Sequence, residues 1–538
     1  MKHQILGSYF LFFIYCTQTL VSLSNGSSKI AKRTFAIETY AWTAVGWNET
    51  DIESSILDDN LQVMEESKNR PHFNSSAIDY ISIFPEYALT TTEVIHNRTL
   101  AGKLAQRVPE PGNVFVPCKV GSNDPDELVI TRLSCLSRNN YAYTVASLLE
   151  KVPRLCGMSD KDCDGLRIYS TTVVFDKNGY LIAKYRRFNL IHETALDAAP
   201  SFEPITFTTE SNVTFGLLTG YDLLFLEPFK SLLNKSVHHF IFNGAWQNKM
   251  PFEFSTSVEM GWVEANKKNN PTFLTSSNYQ RAELGYSGFG IFFPSGSYSV
   301  SHPVGSGGYL SLGMAIEDPI NLQEKRDEQK FSREVVADEG MDLSNYTAVA
   351  VPLSSQSQNS IEVCHSDGFC CTLTYQTFSS GSSATTNYQL LAFNGNRTAA
   401  DGRVLFNEQT CGLVACSGTD KLTCIAPKSE TTYTDNVFFT RLWLAGNFSS
   451  DQVRPVTMAG DENSYISLGQ LSLTIQPQEG GYNVSYYNNQ GRAVKVKTFA
   501  LSSTDFPVRH STNAANFLIP QFISLNLCII IALRRIIC

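Results

Sequence analysis

The chain has 538 residues, 43% hydrophobic and 17% charged, with a formal net charge of -9. This composition excludes a disordered tail and describes a folded protein with ample core, and the length predicts two domains. No Lys/Arg block is long enough for a nucleic-acid footprint, so no nucleic-acid partner is expected.

The N-terminus reads as a targeting segment. Lys2 and His3 precede a mostly apolar run from Ile5 to Leu23, and small residues follow at Ser22, Ser24 and Gly26. This predicts a signal peptide over residues 1–25, cleaved somewhere near residues 22–28. An uncleaved anchor is the alternative, and polar Thr17 and Gln18 argue against it by interrupting the run.

From residue 34 to about 320, strand-like runs alternate with polar or helical stretches. The clearest runs are Thr34–Thr43, Ile78–Phe84, Thr171–Phe175, Val213–Leu218, His238–Phe242 and Thr272–Thr275. Asp51–Lys68 has helical apolar spacing through Ile56, Leu61, Val63 and Met64. The alternation predicts an α/β sandwich. Residues 321–344 are rich in charge and read as a surface connector. From 345 to 505 short β-rich runs are split by Gly, Asn and Ser turns, which predicts an all-β domain.

Residues 506–538 carry a second signal. Phe517–Leu533 is apolar and Arg534-Arg535 follows, with a polar spacer and small residues upstream. These are the parts of a GPI-attachment signal, with Ser502 or Ser503 as the lipidated residue; Asn513 is also small but sits too near the tail. A short transmembrane anchor stopped by the two arginines is the alternative. Either places the chain on the outer face of a membrane.

The secretory route is also expected from N-x-[ST] sequons at Asn25, Asn48, Asn74, Asn97, Asn212, Asn234, Asn345, Asn396, Asn447 and Asn483. Of 13 cysteines, Cys16 lies in the leader and Cys528 and Cys538 in the tail, leaving 13 − 3 = 10. An even number in an oxidising compartment predicts disulfides, with the pairing open.

Three stretches carry the chemistry. Ile81–Tyr87 (ISIFPEY) is a buried strand ending in Pro85-Glu86, which puts a carboxylate at a strand end, where a general base could work. Val173–Ala183 (VVFDKNGYLIA) is a hairpin that continues into Lys184-Tyr185-Arg186-Arg187-Phe188-Asn189-Leu190. Val213–Phe225 (VTFGLLTGYDLLF) is a strand, a corner at Gly220-Tyr221-Asp222 and a second apolar run.

Together these resemble the carbon–nitrogen hydrolase (nitrilase) superfamily, and most closely its biotinidase and vanin branch. Leu133–Asn140, Glu193–Asp197, Gly244–Trp246, Thr275–Asn278, Val363-Cys364 with Cys370-Cys371, and Leu391–Gly395 carry the same resemblance. It implies a nitrilase-type α-β-β-α sandwich over 34–320 followed by a vanin-type β-rich domain over 345–505. It also implies a glutamate, a lysine and a cysteine that divide the hydrolysis of a linear amide among them. Glu86 stands at the glutamate position. Arg187 stands at the lysine position, because Leu190 lies three residues on. Gly220 stands at the cysteine position, because Tyr221-Asp222 follows.

Arginine keeps the charge but presents a larger planar fork. Glycine supplies no nucleophile at all. Thr219 is the nearest hydroxyl, but strand alternation points it to the other face. Cys118, Cys135, Cys156 and Cys163 fall in segments that resemble the branch's structural cysteines. Glu193 resembles a second carboxylate near the family's site, and a salt bridge to Arg187 or Arg186 is its other reading. Adjacent His238 and His239 face opposite sides, Gly305–Gly308 lacks the Lys-[Ser/Thr] of a phosphate loop, and Cys364 with Cys370-Cys371 reads as a disulfide cluster. No metal and no cofactor is expected.

Two functions remain open. One is a disabled vanin-like protein that keeps its pocket for a ligand or partner. The other is a hydrolase of linear amides, such as pantetheine or biotinyl amides, by a modified mechanism. The missing nucleophile favours the first. The expected partners are a small-molecule amide or other ligand, and the membrane through a C-terminal lipid anchor.

Overall fold

The computed structural model describes residues 33–504, apart from 45–54, 69–77, 113–114, 158–162, 192, 268–271, 297, 302–308, 319–328, 331–338, 354–357, 380–385, 400–403, 425–436, 460–470 and 489–492. The leader, the apolar tail and Asn48, Asn74 and Asn513 lie outside the described residues. Among the described residues no helix is long and apolar enough to cross a membrane.

The N-terminal part is a branched 13-stranded sheet in two halves. One half runs Tyr309–Asp318, Arg33–Trp42, Asp79–Ile83, Tyr143–Pro153, Leu166–Phe175, Leu181–Arg186. The other runs Thr206–Thr208, Thr214–Thr219, His239–Gly244, Phe273–Tyr279, Phe289–Phe292, Tyr298–Ser301. Ala41 pairs with Asn278 and Trp42 with Tyr279, which joins the halves at one end. Elsewhere they stack face to face. Phe35 and Ile37 of one half meet Phe215, Ile241 and Phe273 of the other in a shared core, with Phe35 edge-on to Phe215 at 5.3 Å. Continuous apolar runs such as Phe240-Ile241-Phe242 fit strands covered on both faces.

Helices cover the outer faces. Ser55–Lys68 and Leu128–Asn140 bury Ile56, Leu61, Met64, Val129 and Leu133 over the first half. Ser255–Asn266 covers the second, and all but one of its residues are buried. The four layers are those of an α-β-β-α sandwich.

The C-terminal part is two five-stranded antiparallel sheets, one centred on Val404–Cys416 and the other on Val437–Phe448. Its core is continuous with the outer layer of the first part: Phe225, Phe229 and Trp262 share one apolar cluster with Leu390, Leu413, Phe439 and Phe499. Helix Ser255–Asn266 is the shared wall. Ser257 Oγ donates to Thr457 O at 3.0 Å and accepts from Thr457 N at 3.0 Å, and Gly261 lies against the backbone of Pro455. Having no Cβ lets the helix approach that closely.

Several expectations change. Ser502 and Ser503 are both buried in strand Val496–Thr504, between Val404–Cys416 and Val453–Ala459. Ser502 Oγ accepts from the buried Arg454 guanidinium at 3.3 Å. Sequence alone missed this because the strand's last residues are small and polar, like a spacer. The connector also contributes to sheets, with Gln329–Lys330 pairing with Tyr298–Ser301 and Glu339–Gly340 with Lys249–Met250. The ten cysteines form five disulfides, Cys118–Cys135, Cys156–Cys163, Cys364–Cys370, Cys371–Cys411 and Cys416–Cys424. Asn97, Asn212, Asn234, Asn345, Asn396 and Asn447 are exposed, and Asn483 is half-buried.

Candidate active site

Glu86 leaves the end of strand Asp79–Ile83 through Phe84-Pro85 and is 1% exposed. Its amide donates to Gly244 O at 3.2 Å, which fixes the turn to a strand of the other half-sheet. Ser170 Oγ donates to its carboxylate. Arg187 directly follows strand Leu181–Arg186 and anchors its backbone by donating to Ser170 O at 2.9 Å. Gly220 directly follows strand Thr214–Thr219 and donates to Asn243 O at 3.0 Å. Three strands from two half-sheets thus deliver the three predicted positions to one buried point.

The side chains there form one ion cluster. Arg187 Nη1 donates to Glu86 Oε1 at 3.0 Å and Oε2 at 3.2 Å, and lies 2.6 Å from Glu193 Oε1. Its Nε donates to Asn189 O at 3.0 Å, and its Cζ lies 5.6 Å from the centre of the Tyr221 ring. The guanidinium is fully buried. Burial works against its charge, but Glu193 and Glu86 outweigh burial and hold it protonated. Burial also pushes the Glu86 carboxyl above the usual carboxylate range; Arg187 opposes that shift and Glu193 adds to it. Glu193 therefore serves Arg187, whereas Arg186 pairs with Glu150 at 2.6 Å and Lys184 with Glu110 at 2.6 Å, both away from the cluster.

The corner is a sharp, braced turn. Gly220 has φ +61°, a region that side-chain-bearing residues rarely adopt. Asp222 braces it: Oδ2 accepts from Thr219 N at 2.9 Å and from Tyr185 Oη at 2.7 Å, and Oδ1 accepts from Asn189 Nδ2 at 2.8 Å. Burial pushes the Asp222 carboxyl up to about 6 despite these donors. Thr219 is turned away, its hydroxyl 2.8 Å from that of Thr172.

The space in front of the corner is filled. A Cβ built on Gly220 would overlap Cζ and Nε of Arg187 and lie 2.6 Å from its Nη1. The Arg187 guanidinium therefore occupies the room that a side chain on residue 220 would need. A pocket of about 410 Å³ does open beside Leu181–Arg186, but Glu86, Arg187 and Gly220 are absent from its lining.

Residues 52–260 match the family model described as carbon-nitrogen hydrolase, and 336–508 match the vanin C-terminal domain. The chain belongs to the vanin and biotinidase branch of the nitrilase superfamily. Within this branch it is similar to a biotinidase of Takifugu rubripes, 28% identical over 68% of this chain and 75% of that protein. It is also similar to human pantetheinase, 28% identical over 76% of this chain and 77% of that protein, and to Drosophila melanogaster vanin-like protein 3, 29% identical over 66% and 70%.

Sequence reasoning brought Glu86, Arg187, Gly220 and Glu193 to this vanin-like site, and the structure places all four together. It missed Ser170, which lies in a β-run with no motif of its own. Asn189 was visible only as part of the stretch that continues the hairpin to Leu190. His238 is exposed, while the His239 ring packs among Phe35, Phe215 and Phe273. Glu362, Cys364 and Cys370 converge, but the two cysteines are disulfide-bonded and offer no thiolate to a metal.

Proposed function

We propose that this chain is a catalytically disabled vanin-like protein of the secretory route, held at the outer face of a membrane, that works by binding or display. The observation that carries this reading is the Arg187 guanidinium, locked by Glu86 and Glu193 over Gly220. The family route needs a thiolate to attack the amide carbonyl and a cation to receive the oxyanion. Here no thiol is present, and the cation sits in the thiol's place and ties up the base. An amide cannot reach Glu86 without displacing a buried, multiply paired arginine.

Purified protein incubated with pantetheine and with a biotinyl amide tests this. The expected result is no hydrolysis above the uncatalysed rate. Turnover that disappears in Glu86→Gln would overturn the reading.

A further inference from the structure

The second C-terminal sheet turns one face away from the core. Along Val437–Phe448 burial alternates, with Leu442, Leu444 and Phe448 inward and Arg441, Trp443, Ala445 and Asn447 outward. Pairing with Gly481–Asn488 sets Trp443 opposite Tyr487, Ala445 opposite Ser485 and Asn447 opposite Asn483. Two sequon asparagines therefore face each other on the outer surface. Four residues along the strand, about 13 Å, lies an aromatic pair. Its rings stack at 4.5 Å and 12°, and Trp443 is 40% exposed.

Between asparagines and rings the residues paired across this face are small, half-buried Ala445 and buried Ser485. The neighbouring strands flank them with hydroxyl residues: Thr372 and Thr374 pair with Ala445 and Trp443, and Thr474 and Ser472 pair with Ser485 and Tyr487. A small-residue floor, hydroxyl-bearing flanks and an aromatic end suit a sugar chain. Its C–H faces pack on rings whose π faces are electron-rich, and its hydroxyls meet the flanks.

We propose that Asn447 carries an N-linked glycan whose first sugars lie along this trough and stack on Trp443 and Tyr487, while Asn483 stays unmodified. The proposal rests on the secretory reading above. Asn447 is exposed, whereas Asn483 is half-buried and its Nδ2 donates to Asn447 Oδ1 at 3.1 Å. Directly opposed side chains, with Cβ atoms about 5 Å apart, leave no room for two glycans. The linkage forms a bond between Asn447 Nδ2 and C1 of an N-acetylglucosamine. The donor is an oligosaccharide carried on a lipid pyrophosphate; the pyrophosphate leaves with the bonding electrons, and the amide loses one proton.

The test is glycopeptide mass spectrometry on the full chain from a eukaryotic secretory host, combined with acrylamide quenching of Trp443, read as the difference between wild type and Trp443→Phe. Glycan on Asn447 alone of the pair, with Trp443 more strongly quenched in Asn447→Gln, is expected. Sugar at other sequons but none on Asn447, sugar on Asn483, or quenching unchanged in Asn447→Gln overturns this proposal alone. Sugar at no sequon overturns the secretory reading and this proposal with it.

Discussion

The guanidinium of Arg187 lies where a side chain on residue 220 would begin. A side chain at 220 and an arginine at 187 compete for the same space. Cysteine at 220 meets a buried arginine, and lysine at 187 leaves the corner without a nucleophile.

Gly220→Cys alone should destabilise the protein by about 1–3 kcal/mol through overpacking, with further cost from a side chain at φ +61°. Adding Arg187→Lys should recover part of that loss. Urea unfolding of both single variants and the double variant would show a coupling of about 1–3 kcal/mol; strict additivity would mean that the two sites do not share the space. The double variant is also the one in which amide hydrolysis should first appear.

Removing one partner from a buried ion cluster strands the others. Glu193→Ala should cost about 3–5 kcal/mol because Arg187 loses its shortest ion pair without access to water. Thermal or urea unfolding would measure it. Glu110→Ala, at an exposed partner of Lys184, should change stability by less than about 1 kcal/mol.

Glu259 is buried in helix Ser255–Asn266, with Ser276 Oγ donating to Oε2 at 2.9 Å and no partner for Oε1 among the described residues. Burial pushes its carboxyl from 4.5 up to about 8. A raised folded value means that folding takes up a proton. Its contribution is thus fully present below pH 4.5 and lost as pH rises toward 8. Relative to Glu259→Gln, wild type should lose about 1.4 kcal/mol per pH unit across that window. Unfolding at several pH values checks this; parallel curves would contradict it.

Gly261→Ala should loosen the contact between the two parts, since its Cβ would overlap the carbonyl oxygen of Pro455. A loss of about 1–3 kcal/mol and faster cleavage by limited proteolysis are expected. Ser502→Ala should also destabilise by about 1–3 kcal/mol, because it removes an acceptor from buried Arg454.

The architecture was legible in the sequence wherever a local pattern carries it. The apolar runs at Ile78–Phe84 and Val213–Leu218 are buried strands because strands covered on both faces must be apolar throughout. Glu86, Arg187 and Gly220 could be located through the family resemblance, by the neighbours Pro85, Leu190 and Tyr221-Asp222 that carry its motifs. The strand through Ser502 and Ser503 was not legible, for the converse reason: two serines look alike in a spacer and in a central strand, and only the pairing partners tell them apart.

By itself the sequence determined which residue types stand at the three positions and that no cysteine stands at the corner. The tertiary structure decided that the guanidinium of Arg187 fills the space in front of Gly220. Glu86 and Arg187 are 101 residues apart in the chain. Whether the fork of an arginine reaches past its strand end to a corner on another half-sheet depends on how the two halves stack, and no local pattern encodes that distance.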